Sequence, residues 1–335
     1  MNVSVTGGTG FIGQVLVRML VERGDDVRVL VRKPEDHARI RAMGAVPVGG
    51  DLTRPGGCDG LVRAGDTVYH GAARVDMSGR WEEFAQTTIE GTRRLLEAAL
   101  PARPARFVYI SSAAVYLGKG VSGSVAADRT PANPFHYNLY AVAKIEAENL
   151  VRSECERAGV DWSIVRLGFL YGPGNRPLLA RFVPLLERDL VFVIGDGTNR
   201  IATLYVDDAA RAIVLAGTHP AAAGKIYDVT SDEHVTQREY LDATADAVGL
   251  PRPTRSAGHR IAYVGATLAE LWARLVGGES PFNRAMVVLM GADQVVDSRR
   301  IRNELGWEPR MTFQEGMRRM KEWYHSQPAV RPNPT

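Results

Sequence analysis

Two cysteines in 335 residues are few. Cys58 and Cys155 can make neither a disulfide framework nor a cysteine-rich zinc site. A reduced, cytoplasmic setting is the expectation. Charge of one sign is scarce too: 41 Lys and Arg stand against 38 Asp and Glu, a formal net charge of +3. That balance gives no reason to expect a nucleic-acid or anionic-membrane partner. No run of about 18 uncharged apolar residues occurs, so no transmembrane span is expected. No secretory leader precedes the first motif, which begins at once with NVSVTGG. The seven histidines show no metal-ligand spacing, and no metal is expected. There is no internal repeat, and only the closing residues 329–335 read as a tail. What remains is ordinary: 45% apolar and 24% charged residues, with length enough for one large domain or two smaller ones.

The first half alternates two periodicities. Strand-like runs lie at Val3–Thr6, Val27–Val31, Val46–Val48, Thr67–Tyr69, Phe107–Ile110 and Ser163–Val165. Helical patterns lie between several of them: Phe11, Val15 and Met19 recur at helical spacing, and Gly24 follows as a stop. Residues 82–100 and 139–157 also read as helices. Repeated βαβ units predict a doubly wound parallel sheet covered by helices on both faces. The pattern loosens after Gly172, where Pro173, Gly174 and Pro177 mark a turn. A strand near Ile226–Val229 and a helix near Gln237–Val248 follow. The expected division is a dinucleotide-binding α/β domain over 1–172, with 203–231 returning to it. A smaller, mainly C-terminal α/β substrate-binding region would take 173–202 and 232–328.

TGGTGFIG, Thr6 to Gly13, follows an apolar strand and opens a helix. Its glycines satisfy both GxGxxG and GxxGxxG. Glycines permit a tight turn and close approach of backbone amides to a pyrophosphate, and the helix N-terminus favours the anion. The alternative is a purely structural turn. The second strand ends in VRVLVRKPED, with no acidic residue where an NAD-selective site holds the adenine ribose. Arg32 follows instead, and a guanidinium there can pair with a 2′-phosphate. NADP(H) is therefore favoured over NAD(H); a solvated strand-end charge is the alternative. Asp51, in GGDL, either contacts the adenine or closes a turn.

NLYAVAKIE places Tyr140 and Lys144 four apart, on one helix face. Tyrosine is a poor base near neutrality, and a nearby cation lowers its pKa. ISSAAVY, Ile110 to Tyr116, follows the fifth strand, whose end should line the crevice of such a sheet. Ser112 is preferred over Ser111 as the hydroxyl that meets a substrate oxygen; satisfying local backbone groups is the alternative for both.

Together these motifs resemble the extended branch of the short-chain dehydrogenase/reductase family, over roughly residues 2–325. TGGTGFIG, GDL, HGAA at 70–73, ISSAAVY, YAVAK and YVDD at 205–208 carry the resemblance. It implies that Tyr140 exchanges a proton with the substrate oxygen, Ser112 holds that oxygen, and Lys144 holds the nicotinamide ribose and assists the tyrosine. It implies a cofactor site drawn from Gly7, Gly10, Phe11, Ile12, Arg32, Asp51, Leu52, Ala72, Ala73, Tyr140, Lys144, Leu167 and Gly168. His70 is expected to support the cofactor crevice, with metal binding as the alternative. Two departures stand out: Thr88 replaces an asparagine often found in the family, and Leu167 replaces a proline after Arg166.

Within the family, the acidic pair of sugar-nucleotide dehydratases is replaced by Ala113 and Ala114. The arginine that epimerases aim at a diphosphate has no match, though Arg200 lies one residue off. GDGTNRIATLYVDD, VDMSG at 75–79 and the ending DSRRIRNELGWEPRMTFQEGMRRMKEWY look like the 3β-hydroxysteroid dehydrogenase branch. That resemblance implies an oxidoreductase interconverting a secondary alcohol and a ketone on a small hydrophobic, sterol-like substrate. A nucleotide-sugar epimerase is the second reading, and a non-catalytic dinucleotide sensor the third. The apolar stripe of 259–278 is expected to pack on the domain's own core, with a lid or peripheral membrane-surface element as the sharper reading. A homodimer through 82–100 and 139–157 would suit the family, unless their apolar faces are used against the sheet.

Overall fold

Runs of β-branched residues buried on both faces form the centre of the molecule. In the computed structural model, residues 1–76, 78–118, 124–231, 233–276, 278, 280 and 282–327 are described. The tail 329–335 and Met77 of VDMSG lie outside them. Seven strands make one parallel sheet: β1 Asn2–Thr6, β2 Asp26–Val31, β3 Val46–Gly49, β4 Thr67–His70, β5 Arg106–Ser112, β6 Trp162–Leu167 and β7 Lys225–Val229. Their order is β7-β6-β5-β4-β1-β2-β3, and every pairing is parallel. The order reverses between β1 and β4, which opens the ligand crevice at their C-terminal ends.

Helices cover both faces. On one, α1 (Phe11–Glu22) and the helix Val206–Thr218 bury Leu16, Leu20 and Ile213 against Val5, Val29 and Val165. On the other, α3 (Gly91–Ala99) and α4 (Leu139–Ala158) bury Leu95, Leu96, Ala147 and Val151 against Phe107 and Tyr109. These apolar faces are thus spent on the sheet. The outward faces of α3 and α4 carry exposed Arg93, Glu97, Arg152 and Glu156.

The expected continuous helix over 82–100 is interrupted. Trp81–Phe84 is α-helical, Ala85–Glu90 widens to a π-helix, and α3 follows. Hydrophobic spacing does not report such a widening, because one extra residue per turn leaves the buried positions nearly in place.

Outside that sheet the described residues form four short strand pairs, among them Phe169–Tyr171 with Thr203–Tyr205 and Val193–Ile194 with Ser256–Ala257. The helices of the second region include Gln237–Val248, closed by a Thr236–Glu239 capping box, then His259–Leu275 and Arg284–Gly291. The YVDD motif ties this region down. Buried Asp208 accepts from the backbone N–H of Arg310 and Met311 at 3.0 and 3.1 Å, and Trp307 Nε1 donates to the Asp208 carbonyl at 3.0 Å.

The expected packing of the 259–278 stripe is overturned. Ile261, Val264, Leu268, Leu271, Trp272 and Leu275 are 50–81% exposed. Small residues on the opposite side, Ala262 and Ala266, make the contact with the core instead.

Candidate active site

β1 delivers the phosphate loop. Gly7 takes φ +75°, and a Cβ there would sit 2.7 Å from the backbone of Gly71 and Ala72. A Cβ on Gly13 would collide with the Gly7 carbonyl. Gly10 is the N-cap of α1, with no side chain capping that helix and no acidic residue in its first turn. The first-turn amides of Phe11 and Ile12 thus have no side-chain oxygen on them, which suits a pyrophosphate. The side chains of Phe11 and Ile12 pack beside Val15 and Val206. The loop therefore fits a dinucleotide at its backbone.

At the adenosine end, Arg32 is exposed just past β2, and its charge acts on Asp51. Asp51 Oδ1 accepts from the N–H and hydroxyl of Thr53 at 2.9 and 2.8 Å, a turn role. Burial raises the Asp51 carboxyl, but these bonds outweigh it and hold the group below its ordinary value. Leu52 turns its side chain into the core and gives its carbonyl to Arg94 at 3.0 Å. Arg39, which sequence reasoning missed, reaches the Thr9 carbonyl of the phosphate loop at 3.3 Å and pairs with Asp36 at 2.9 Å.

Along the crevice, Ala72 N–H donates to Thr6 Oγ1 at 3.3 Å, and Ala73 is the next residue of the same loop. Thr6 Oγ1 lies 2.6 Å from His70 Nδ1, and His70 Nε2 lies 2.8 Å from Thr92 Oγ1. Thr92 already donates to the Thr88 carbonyl. Its oxygen therefore accepts from Nε2–H, and in the neutral imidazole that burial favours Nδ1 accepts from the Thr6 hydroxyl. Burial, helped by the Lys144 charge, lowers the His70 pKa to about 3. Both nitrogens are used, so His70 is a support of the crevice. Thr88 sits in the π-helix; its hydroxyl accepts from the Arg74 N–H at 3.2 Å. Leu167 and Gly168 close β6. The Leu167 side chain is core, and Gly168 lets the backbone of Ala202 pass close by.

The chemical group stands where β5 meets α4. Asn138 caps α4 by accepting from the Ala141 N–H at 3.2 Å, which places Tyr140 in the first turn. Ser112 ends β5. Its Oγ accepts from the Ala114 N–H at 3.2 Å, which leaves its proton free to point toward the Tyr140 phenol, on whose titration it acts. Ser111 is committed elsewhere, to Glu148. Lys144 lies one turn along α4, 3% exposed; its ammonium donates to the Ile110 carbonyl at 2.7 Å and sits 4.8 Å above the Tyr109 ring.

The expected lowering of the phenol by Lys144 is corrected. Burial raises the Tyr140 pKa, and the Ser112 hydrogen bond only partly opposes it. Desolvation of a phenolate dominates, and Lys144 is not among the groups that shift the phenol. Burial lowers Lys144 to about 8, with the Glu148 charge opposing.

Behind this pair lies a buried ionic network that sequence reasoning missed. Arg166 Nε and Nη2 donate to Glu148 at 3.0 and 2.6 Å, with side-chain exposures of 5% and 3%. Arg166 Nη1 donates to Tyr116 Oη at 2.7 Å, and Tyr116 Oη donates to Asp228 at 3.0 Å. Burial lifts Asp228 to about 7 despite the Arg166 charge. The signals were visible: Glu148 continues the 140, 144 spacing, Arg166 is the lone charge in its strand, and Asp228 follows an apolar pair in the next.

Residues 3–230 match the NAD dependent epimerase/dehydratase family. The chain is 30% identical over 328 residues to a 2-alkyl-3-oxoalkanoate reductase of Stenotrophomonas maltophilia, covering 96% of this chain and 98% of the relative. It is 28% identical to a 3β-hydroxysteroid dehydrogenase/Δ5→4-isomerase of Mycobacterium tuberculosis, covering 97% of this chain and 90% of the relative. Among solved structures, MoeE5 in complex with UDP-glucuronic acid and NAD superposes with a TM-score of 0.74 at 25% identity, covering 97% and 99% of the two chains. The chain belongs to the NAD dependent epimerase/dehydratase family, and is an NAD(P)-dependent oxidoreductase of the extended short-chain dehydrogenase/reductase type.

Proposed function

We propose that the protein reduces a ketone to a secondary alcohol on a hydrophobic substrate, either a 3-oxo acid with an alkyl branch or a sterol-like ring ketone. The observation that carries this reading is the placement of Ser112 at the end of β5 and Tyr140 in the first turn of α4, one helical turn from buried Lys144. The bound nicotinamide supplies the hydride. Ser112 gives its hydroxyl to the substrate oxygen and orients it. Tyr140 donates its proton to that oxygen as the carbon is reduced. Its raised pKa keeps the phenol protonated near neutrality, the form an acid needs. Lys144 would hold the ribose hydroxyls of the bound cofactor. Arg32, with Arg39 beside the loop, supports NADP(H) over NAD(H) through a 2′-phosphate.

A nucleotide-sugar epimerase would use the same triad, and the likeness to MoeE5 favours keeping it as the second reading. Against it, Arg200 is turned to Asp293 through its backbone N–H and its Nε, at 2.9 and 2.8 Å. Ala113 and Ala114 are buried and supply no acid or base for dehydration.

NADPH consumption with 2-alkyl-3-oxo acids and 3-ketosteroids, beside UDP-glucose, tests the reading. Turnover of the ketones is expected, and Tyr140→Phe should keep cofactor affinity while losing ~10²–10⁴-fold in kcat. Interconversion of UDP-sugars with retained NAD, or full turnover by Tyr140→Phe, overturns it.

A further inference from the structure

The helix His259–Leu275, here α8, turns its oily side outward. At 3.6 residues per turn, Ile261, Val264, Leu268, Leu271, Trp272 and Leu275 fall within a sector of about 100°. Leu275 is 81% and Trp272 67% exposed. Monomeric proteins seldom present so continuous an apolar face without a use for it. The helix is nevertheless firmly seated. Ala262 and Ala266 pack into a core with Ile194 and Val287, and Glu270 pairs with Arg284 at 2.7 Å.

The inner side of α8 packs against the segment that leads into α4. Tyr263 meets Tyr137 edge-on at 6.1 Å, and the Arg284 guanidinium lies 4.6 Å over the Tyr137 ring. Tyr137 stands three residues before Tyr140. One helix thus carries an exposed oily face and an inner face packed against the segment just before Tyr140.

We infer that α8 lies on the surface of an anionic phospholipid bilayer, its stripe in the acyl boundary, and takes the hydrophobic substrate from the lipid into the crevice. This rests on the reading of a hydrophobic ketone substrate. Local charge selects the occupant. Residues 250–276 carry four arginines, at 252, 255, 260 and 274, against the single acid Glu270. Arg252 and Arg255 are matched by Asp246 and Asp189. Arg260, exposed beside Ile261, has no acidic partner among the described residues. A second copy pairing through this face would bring the same positive charge against itself, whereas an anionic surface neutralises it. The stripe with a tryptophan at its edge and arginine alongside is the pattern of a helix that lies in an interface. No helix among the described residues is long and apolar enough to cross a membrane.

Co-sedimentation with vesicles of phosphatidylcholine, alone and mixed with phosphatidylglycerol, tests this on the whole chain. The protein should bind the mixed vesicles, and more weakly in high salt. The Leu268→Ser/Leu271→Ser variant should lose roughly 10–100-fold in partitioning, from two half-buried leucines. Val46→Ser, exposed on the far edge strand, should bind as the unaltered chain does. Melting temperatures report whether each variant is folded, and light scattering reports its oligomeric state. Failure to bind mixed vesicles, or equal binding by the double variant, overturns the inference. So does a dimer that the double variant converts to monomer without vesicle binding, because the occupant is then a second copy. The readout needs no turnover: an inactive enzyme that still binds vesicles through α8 refutes the proposed reaction and leaves this surface standing.

Discussion

Replacing Glu148 by glutamine leaves the shape of the buried network and removes its central negative charge. Glu148 holds Arg166 by two hydrogen bonds to Oε2 and one to Oε1, where both side chains are almost wholly buried. Without it, Arg166 keeps only Tyr116 and, through Tyr116, Asp228. An uncompensated buried charge costs about 3–5 kcal/mol. At about 2.1 cal/mol/K of unfolding entropy per residue, a chain of this length has ~0.7 kcal/mol/K, so the melting temperature should fall by ~4–7 °C. A double variant, Glu148→Gln/Arg166→Met, removes both charges and should recover part of that loss. There is a functional arm as well. Glu148 supports the Lys144 ammonium, whose pKa burial has already lowered to about 8. Its removal should move the alkaline limb of kcat/KM to lower pH. Thermal melts at neutral pH and a pH–rate profile read the two arms. A single variant melting within about 1 °C of the parent, with the alkaline limb in place, would refute the assigned role.

Gly13→Ala should abolish cofactor binding in a fluorescence titration, because its Cβ collides with the Gly7 carbonyl; retained affinity would show that the loop relaxes freely. Arg32→Ser should raise KM for NADPH by ~10–100-fold and leave NADH nearly unchanged, as loss of a charge-assisted phosphate contact would. His70 gives a pH test. Its folded pKa of about 3 lies below the ordinary 6.5, so the unfolded chain binds a proton that the folded chain refuses. The stability it contributes is present above pH 6.5 and lost as pH falls toward 3, about 2 kcal/mol by pH 5. Chemical denaturation at pH 7 and 5 should show that slope, and His70→Asn should flatten it; an unchanged slope sinks the assignment.

The large sheet was legible because each of its strands is a short β-branched run bounded by glycine or a polar turn. All seven strand candidates fall within the observed strands, and the differences are one or two residues at the ends, as from Phe107–Ile110 to Arg106–Ser112. The phosphate loop and the 140–144 spacing were legible because both are local in sequence. What joins distant residues was not. Arg166 and Asp228 read as strand charges until β6 and β7 lie side by side. The π-helix at 85–90 has no periodicity of its own to announce it. The stripe on α8 was read correctly as a stripe but placed on the wrong side, because amphipathic spacing says which residues share a face and not what that face meets. The phenol of Tyr140 was misjudged for a related reason: spacing gave its cation, and only the fold gave its burial.

The parallel order of the sheet has a consequence for synthesis. β6 ends at Leu167, but its neighbour β7 begins at Lys225, and residues 168–224 emerge between them. Until then Arg166 and Glu148 belong to a sheet with an unpaired edge, and Tyr116 lacks Asp228. A nascent chain thus carries its glycine-rich loop and the three side chains proposed for catalysis long before β7 exists. Chains arrested before β7 should be open to protease, and those arrested after the Asp208 contacts with Arg310 and Met311 should resist it.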